Sequence, residues 1–235
     1  MQLLEHWIAP ALEPENPIRT PFVEAGSPSR STVPTGSNLL PVDGAAYLVT
    51  DALSSAEADR YLDLLWARID WHQETARLMG RSIPIPRLSA WYGTAGYRYS
   101  GIMHTPQPLT EELQELQTMV ENLAAISFNS VLLNLYRDGR DSVGWHADNE
   151  PGLGSEPVIA SLSLGAVRRF QLKHRTDRAA RVTLDLPNGS CLVMRGKTQQ
   201  YWLHQLPKTR APVGPRINPT FRRMVGGPSA VSLAD

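Results

Sequence analysis

The sequence predicts a mostly β protein with flanking helices (α+β), an antiparallel sandwich or jelly-roll barrel with its helices on the outside. Three observations predict it. Two segments with a helical apolar period come early, the period changes from 3.6 to 2 after Ser130, and the turn pairs Asp138-Gly139 and Asn188-Gly189 punctuate the later runs.

Residues 1 to about 43 are rich in Pro, Ser, Gly and Thr, show little periodicity and read as an irregular extension. Ala45–Val49 is a short apolar strand. Ser54 with Glu57 three positions later is a capping-box signature, and it opens a helix whose Ala58, Tyr61, Leu64 and Leu65 share one stripe. Ile83–Tyr99 is broken by Pro84, Pro86 and Gly93 and is dense in Trp and Tyr, as short strands and loops are. A second helix follows Pro108, with Leu113, Leu116, Val120 and Leu123 at helical spacing. Then Val131/Leu133/Leu135, Ala160/Leu162/Leu164, Phe170/Leu172 and Val182/Leu184/Leu186 alternate with other residues, the pattern of half-buried strands. Asn188-Gly189 has the composition of a two-residue hairpin turn.

With 235 residues, 42% of them hydrophobic, the chain can bury a sizeable core. Its single cysteine, Cys191, excludes an internal disulfide. No basic and apolar leader with a cleavage site is recognisable, and no apolar run approaches the roughly 20 residues that cross a bilayer, so the expected location is the cytoplasm and no membrane partner is expected. Formal net charge is zero, but thirteen lysines and arginines lie between Arg168 and Arg223 against only Asp177 and Asp185. A basic half beside an acidic one is compatible with phosphate binding, and equally with solvated strand faces.

Trp145-His146-Ala147-Asp148 places an imidazole and a carboxylate two residues apart, on one side of an extended segment. His204, following another strand-like run, supplies a third ligand. Two histidines and a carboxylate on one face of a metal, with the other face open, is the arrangement of non-haem Fe(II) oxygenases. His6, His72, His104 and His174 are assigned to surface or core. Arg216, Asn218, Thr220 and Arg222 fall on one strand face, with Ile217 and Phe221 on the other. Were the polar face enclosed, its arginines would need anionic partners, and a dicarboxylate supplies two. Asn134 and Tyr136 share a further face and offer neutral donors. A zinc hydrolase would need a Glu at metalloprotease spacing, which is missing, and would leave the arginines without a role. A non-catalytic nucleic-acid-binding barrel would suit the basic half but leaves the triad unexplained.

The ordered set Asn134-x-Tyr136, His146-x-Asp148, His204, Arg216-x-Asn218-x-x-x-Arg222 resembles the AlkB family of Fe(II)- and 2-oxoglutarate-dependent dioxygenases. Pro86-Arg87-Leu88, Tyr92-Gly93, Tyr97-Arg98-Tyr99-Ser100-Gly101 and Pro157-Val158-Ile159-Ala160-Ser161 resemble its DNA-repair branch, so the resemblance runs from about Pro86 to Met224. It implies a double-stranded β-helix with an N-terminal nucleotide-recognition lid. The corresponding division is an extension over 1–43, helix and lid over 44–106, a dioxygenase core over 107–225 and a tail over 226–235. It implies that His146, Asp148 and His204 hold Fe(II), with Arg222 beside them in the catalytic set. Arg216, helped by Tyr136 and Asn218, would take the distal carboxylate of 2-oxoglutarate. Arg222 and Asn134 would lie near the carboxylate that chelates the metal, with Thr220 on the same co-substrate face. Tyr97 and Tyr99 resemble lid aromatics that meet a flipped base, Glu150 the acceptor for an exocyclic amine, and Asn149 stands where a second acid is usual. The implied activity is oxidative demethylation of N1-methyladenine or N3-methylcytosine in DNA, using O2 and releasing succinate and formaldehyde. RNA or a protein side chain is the alternative substrate, and a monomer is expected.

Overall fold

A computed structural model describes residues 36–78, 81–94, 97–99, 102–104 and 106–225. Most of the expected extension and the whole C-terminal tail lie outside these residues. The elements are β1 (Ala45–Val49), α1 (Ser55–Arg68), β2 (Thr75–Leu78), β3 (Arg81–Pro84), β4 (Leu88–Gly93), β5 (Tyr97–Tyr99), β6 (Ile102–His104), α2 (Glu111–Ala124) and β7 (Ser130–Tyr136). After them come β8 (Val143–His146), β9 (Ile159–Leu162), β10 (Leu164–Gly165), β11 (Arg168–His174), β12 (Arg181–Leu186), β13 (Cys191–Arg195), α3 (Thr198–Tyr201), β14 (Trp202–Leu206) and β15 (Arg216–Arg222).

Two sheets form the barrel. The larger runs β1-β13-β9-β15-β7-β4, with β10 also on β15; the smaller runs β12-β11-β14-β8. This is the expected jelly roll. The capping box is present: Glu57 N donates to Ser54 Oγ (3.3 Å) while Ser54 N donates to Glu57 Oε2 (2.9 Å). Ala58, Tyr61 and Leu65 of α1 and Leu113, Leu116, Val120 and Ala124 of α2 join Val131, Leu133, Leu135, Ile217 and Phe221 in one core, so both helices cover the outer face of the larger sheet. A second core, including Ile159, Phe170, Leu172, Leu192, Met194 and Trp202, draws on strands of both sheets.

Several expectations change. β15 is buried along its whole length and β7 almost so, rather than half-buried, because helices cover one face and the opposite sheet covers the other. Asn188-Gly189 is a turn but not a hairpin: it carries the chain from β12 in one sheet to β13 in the other. Gly189 has φ +79°, and a Cβ there would run into the Leu53 carbonyl. The boundary at residue 106 does not follow the sheets, since β1 and β4 are strands of the larger one; among the described residues the β2–β3 and β5–β6 hairpins stand apart from both sheets. Pro219 sits in a central strand, yet β9 is paired with β15 only from Thr220 and β10 only to Ile217, so the missing N–H coincides with an interruption of that ladder.

Candidate metal centre and anion pocket

The smaller sheet brings the two histidines together by register. His204 on β14 is paired with His146 at the end of β8, and their rings lie 4.2 Å apart at 61°. Asp148 follows two residues on. One ligand atom from each of His146, Asp148 and His204 lies within 4.8 Å of the others, a spacing that would hold a metal ion. His146 Nδ1 is 2.8 Å from the Gly144 carbonyl, so Nδ1 donates there and Nε2 is left with a lone pair for a metal. Burial, with His146 next, pushes the His204 imidazole down to about 3, which keeps it neutral as a ligand must be.

Asp148 is held from two sides. Its N–H donates to Gln199 Oε1 (2.9 Å), and its Oδ2 is 3.1 Å from Arg222 Nη2. Burial alone would raise its carboxyl, but Arg222, His204 and His146 hold it below the usual carboxylate range. The carboxylate therefore stays ionised beside the imidazoles.

The larger sheet supplies the opposite wall. Register pairs Arg216 with Tyr136 and Asn218 with Asn134, so four expected site residues share one inner surface. A cavity of about 110 Å3 lies between the walls, lined among others by Asn134, Tyr136, His146, Asp148, Glu150, His204, Asn218, Thr220 and Arg222. At ~30 Å3 of liquid volume per water, that is room for a small ligand. Leu132, Val143, Phe170, Met194 and Leu206 make the rest of the wall largely apolar.

Arg216 stands beside this wall with its guanidinium 5.5 Å from the Tyr136 ring centroid. It is only 1% exposed, and Nη2 donates to Ser163 Oγ at 2.9 Å. Nε and Nη1 have no hydrogen-bond partner among the described residues. Burial pulls its pKa down to about 10, with Tyr136 opposing and Arg168 adding to the pull, so it remains a cation at neutral pH. A buried cation with idle donors suits an anionic ligand.

Other assignments fare differently. Asn218 donates through Nδ2 to Ser161 Oγ (2.9 Å) and to the Leu162 carbonyl (2.6 Å), so its donors tie β15 to β9 rather than standing ready for a carboxylate. Asn134 Oδ1 accepts from Arg87 Nε at 2.7 Å. Glu150 lines the cavity; Asn149 is exposed and does not. Tyr97 and Tyr99 lie on β5, paired with His104 and Ile102, but their side chains lie outside the described residues. Arg87, Ser161, Ser163 and Gln199 were missed as site residues. The serines alternate with Ala160, Leu162 and Leu164, so the facing argument applied to Arg216 would have found them; no local signal marks Gln199.

A family model described as the 2OG-Fe(II) oxygenase superfamily matches residues 45–222. The alpha-ketoglutarate-dependent dioxygenase alkB homolog 3 of Mus musculus is 41% identical over 181 residues, covering 73% of this chain and 63% of that protein, so the chain spans less than two thirds of that relative's length. The DNA oxidative demethylase ALKBH2 of Mus musculus is 34% identical over 198 residues, covering 79% of this chain and 83% of that protein. Among solved structures, OsALKBH1 superposes with a TM-score of 0.56 at 16% identity, covering 77% of this chain and 98% of that one. A prolyl hydroxylase from Trichoplax adhaerens gives 0.52 at 13% identity, covering 76% and 83%. Those two likenesses concern the fold. No helix among the described residues is long and apolar enough to cross a membrane.

Proposed function

The chain belongs to the 2OG-Fe(II) oxygenase superfamily and, within it, to the DNA-repair branch of the AlkB family, and from that premise we propose that it oxidatively removes alkyl groups from nucleobases in DNA at the expense of 2-oxoglutarate. One observation carries the reading. A two-histidine, one-carboxylate cluster lines a cavity whose opposite wall includes Tyr136, and the buried, half-unpartnered Arg216 stands against that tyrosine.

The residues fit the implied groups. His146, Asp148 and His204 would hold Fe(II), and Arg216 with Tyr136 would take the distal carboxylate of 2-oxoglutarate. Arg222, Asn134 and Thr220 would lie about its other end. Bound there, Fe(II) and 2-oxoglutarate would supply O2 activation for hydroxylating the N-alkyl carbon, with succinate, CO2 and formaldehyde as products. Arg222 keeps the Asp148 carboxylate ionised, and the Gly144 carbonyl orients His146. Leu132, Val143, Phe170 and Leu206 limit water in the cavity. Glu150 is the acceptor for an exocyclic amine of the base. A base stacked in a duplex cannot reach this cavity, so the nucleotide is flipped or already single-stranded. Tyr97 and Tyr99 then replace its lost stacking, and the basic half meets phosphates. The same reading takes the enzyme to be a cytoplasmic monomer, which fractionation and sedimentation test.

The decisive assay is formaldehyde release from an oligonucleotide bearing N1-methyladenine or N3-methylcytosine, with and without 2-oxoglutarate. Repair that requires 2-oxoglutarate is the expected result. Consumption of 2-oxoglutarate with no repair of any alkylated DNA would overturn the substrate assignment, and repair of RNA alone would move it to RNA.

A further inference from the structure

Arg168, at the start of β11, is 2% exposed, and neither the metal triad nor the co-substrate contacts employ it. Its Nη1 donates to the Asp138 carbonyl (3.1 Å), and its Nη2 to the carbonyls of Asp141 and Pro207 (2.9 Å each). One guanidinium thus joins the β7–β8 loop to the exit of β14. The nearby carboxylates are engaged elsewhere. Asp141 receives Arg137 at 2.7 and 2.9 Å, and Asp138 receives Arg140 at 2.7 Å. Among the described residues Arg168 has no carboxylate in ion-pair contact; three carbonyl dipoles hold its charge directly, and the Asp141 and Asp138 carboxylates act on it from farther off.

Its second contact is with Tyr136. The Arg168 guanidinium lies 5.9 Å from that ring's centroid, and Arg216 lies 5.5 Å from the same centroid. Both distances are within the reach of a cation–π attraction, roughly 6 Å. Tyr136 lines the cavity and has both guanidiniums within 5.9 Å of its ring centroid, so this ring links the two cations to the edge of the cavity. Burying two guanidiniums against one ring, neither with a carboxylate in contact, is costly unless an anion arrives. Burial lowers the pKa of Arg168, and Arg168 is one of the groups that pull Arg216 down.

We infer that Arg168 is a positioning residue for the 2-oxoglutarate site: it fixes the Tyr136 ring against Arg216 and adds a second positive charge that touches no ligand, thereby favouring a dicarboxylate over a monocarboxylate. The inference rests on the reading of Arg216 as the carboxylate partner. A plain loop staple would give the same three carbonyl bonds, but it would not distinguish ligands by charge.

The test is calorimetric binding of 2-oxoglutarate and of 2-oxobutyrate, which lacks the distal carboxylate, to Mn(II)-loaded protein without turnover. R168Q keeps a donor for the carbonyls and drops the charge; R168K keeps the charge and loses the fork. A charge about 10 Å away at an effective dielectric constant of about 20 changes an affinity roughly tenfold. R168Q should therefore weaken 2-oxoglutarate by about tenfold and 2-oxobutyrate by less than about twofold. R168K should hold 2-oxoglutarate within about threefold of the unsubstituted protein even where its melting temperature falls. R168Q binding 2-oxoglutarate like the unsubstituted protein, or losing both ligands equally, overturns the inference. Should R168Q not fold, R168K decides alone, because a tenfold loss in a folded R168K would mean that the charge is not what acts. Failure of the unsubstituted protein to bind 2-oxoglutarate would sink the functional reading together with the inference. Normal binding there and in R168Q sinks the inference only.

Discussion

The two faces of β15 are equally buried and chemically opposite. Outward, Ile217 and Phe221 are 0% exposed against α1, α2 and β7; inward, Arg216, Asn218, Thr220 and Arg222 are 1–8% exposed against the cavity and the smaller sheet. Apolar burial stabilises the fold in proportion to the area removed from water. Buried guanidiniums do not: replacing such charges by apolar groups of similar volume is often neutral or stabilising. Arg222 has Asp148, while Arg216 has, among the described residues, a serine hydroxyl as its hydrogen-bond partner and an aromatic ring beside it. The outer face therefore serves folding, while on the inner face Asn218 ties β15 to β9, Arg222 pairs with Asp148 and Arg216 keeps donors that suit an anion.

The largest effects should separate the faces completely. His146→Ala, Asp148→Ala or His204→Ala is expected to abolish 2-oxoglutarate-dependent turnover, with the denaturant midpoint within experimental scatter for the histidines. Full activity in any one of them, with Fe(II) present, would remove that residue from the metal set. Phe221→Ala should do the reverse. It should cost about 3–5 kcal/mol of stability by leaving a cavity under the helices, while the fraction still folded keeps its KM for 2-oxoglutarate. A Phe221→Ala protein of unchanged stability would show that the outer core repacks freely.

Arg216→Met sharpens the contrast. It should weaken 2-oxoglutarate by about 2–5 kcal/mol, as truncating one partner of a buried charge pair does, and leave stability unchanged or raised. An unchanged KM would mean that Arg216 serves the fold after all. Next in size is Tyr99→Ala, on the separate β5–β6 hairpin. Loss of a stacking ring should cost roughly 1–3 kcal/mol of binding to damaged strand, with 2-oxoglutarate turnover in the absence of nucleic acid and thermal stability both unaltered. Tyr99→Phe should be nearly silent. Reduced stability and reduced uncoupled turnover together would place Tyr99 in packing instead.

Why the site was more legible than its surroundings is a matter of range. His146-x-Asp148 and Arg216-x-Asn218 are two-residue spacings, and a strand's period converts them directly into shared faces. That the polar face of β15 is the enclosed one is not local information. Alternation alone left it open, and only the helices over Ile217 and Phe221 decide it. Sheet membership is equally non-local, so Asn188-Gly189 signals a turn without saying that β12 and β13 part company there. Gln199 reaches Asp148 across 51 positions of sequence from a one-turn helix, and Arg168 finds its carbonyls 27 to 39 positions away, contacts that no periodicity encodes. Alternation puts Asn218 on the polar face of β15 without saying where that face points, and the ligand role that the resemblance gives its donors meets neighbours, Ser161 and Leu162, that lie 57 and 56 positions away.

The smallest effect concerns the start of α1, on the outer side. Ser54 Oγ accepts from the Glu57 N–H, and Glu57 Oε2 accepts from both Ser54 N (2.9 Å) and Ser54 Oγ (2.6 Å), so one serine anchors three bonds. Ser54→Ala should cost about 1 kcal/mol, the usual loss for an N-cap oxygen, and Ser54→Asp should recover part of it by restoring an acceptor at the cap. The recovery is incomplete because Asp brings a second carboxylate next to Glu57. Bonds from the Ser54 side chain and then its backbone hold the Glu57 carboxyl below the usual carboxylate range. A depressed carboxyl contributes stability above its unfolded pKa and loses it as pH falls through the folded one, so the Ser54→Ala deficit should be full at neutral pH and shrink in acid. Neither variant should move the KM for 2-oxoglutarate, because α1 packs on the outer side of the larger sheet and none of its residues lines the cavity. Denaturant titrations at neutral and acid pH, paired with a KM at neutral pH, check all of this. A shift in KM with no loss of stability would mean that the two faces of the sheet are not independent.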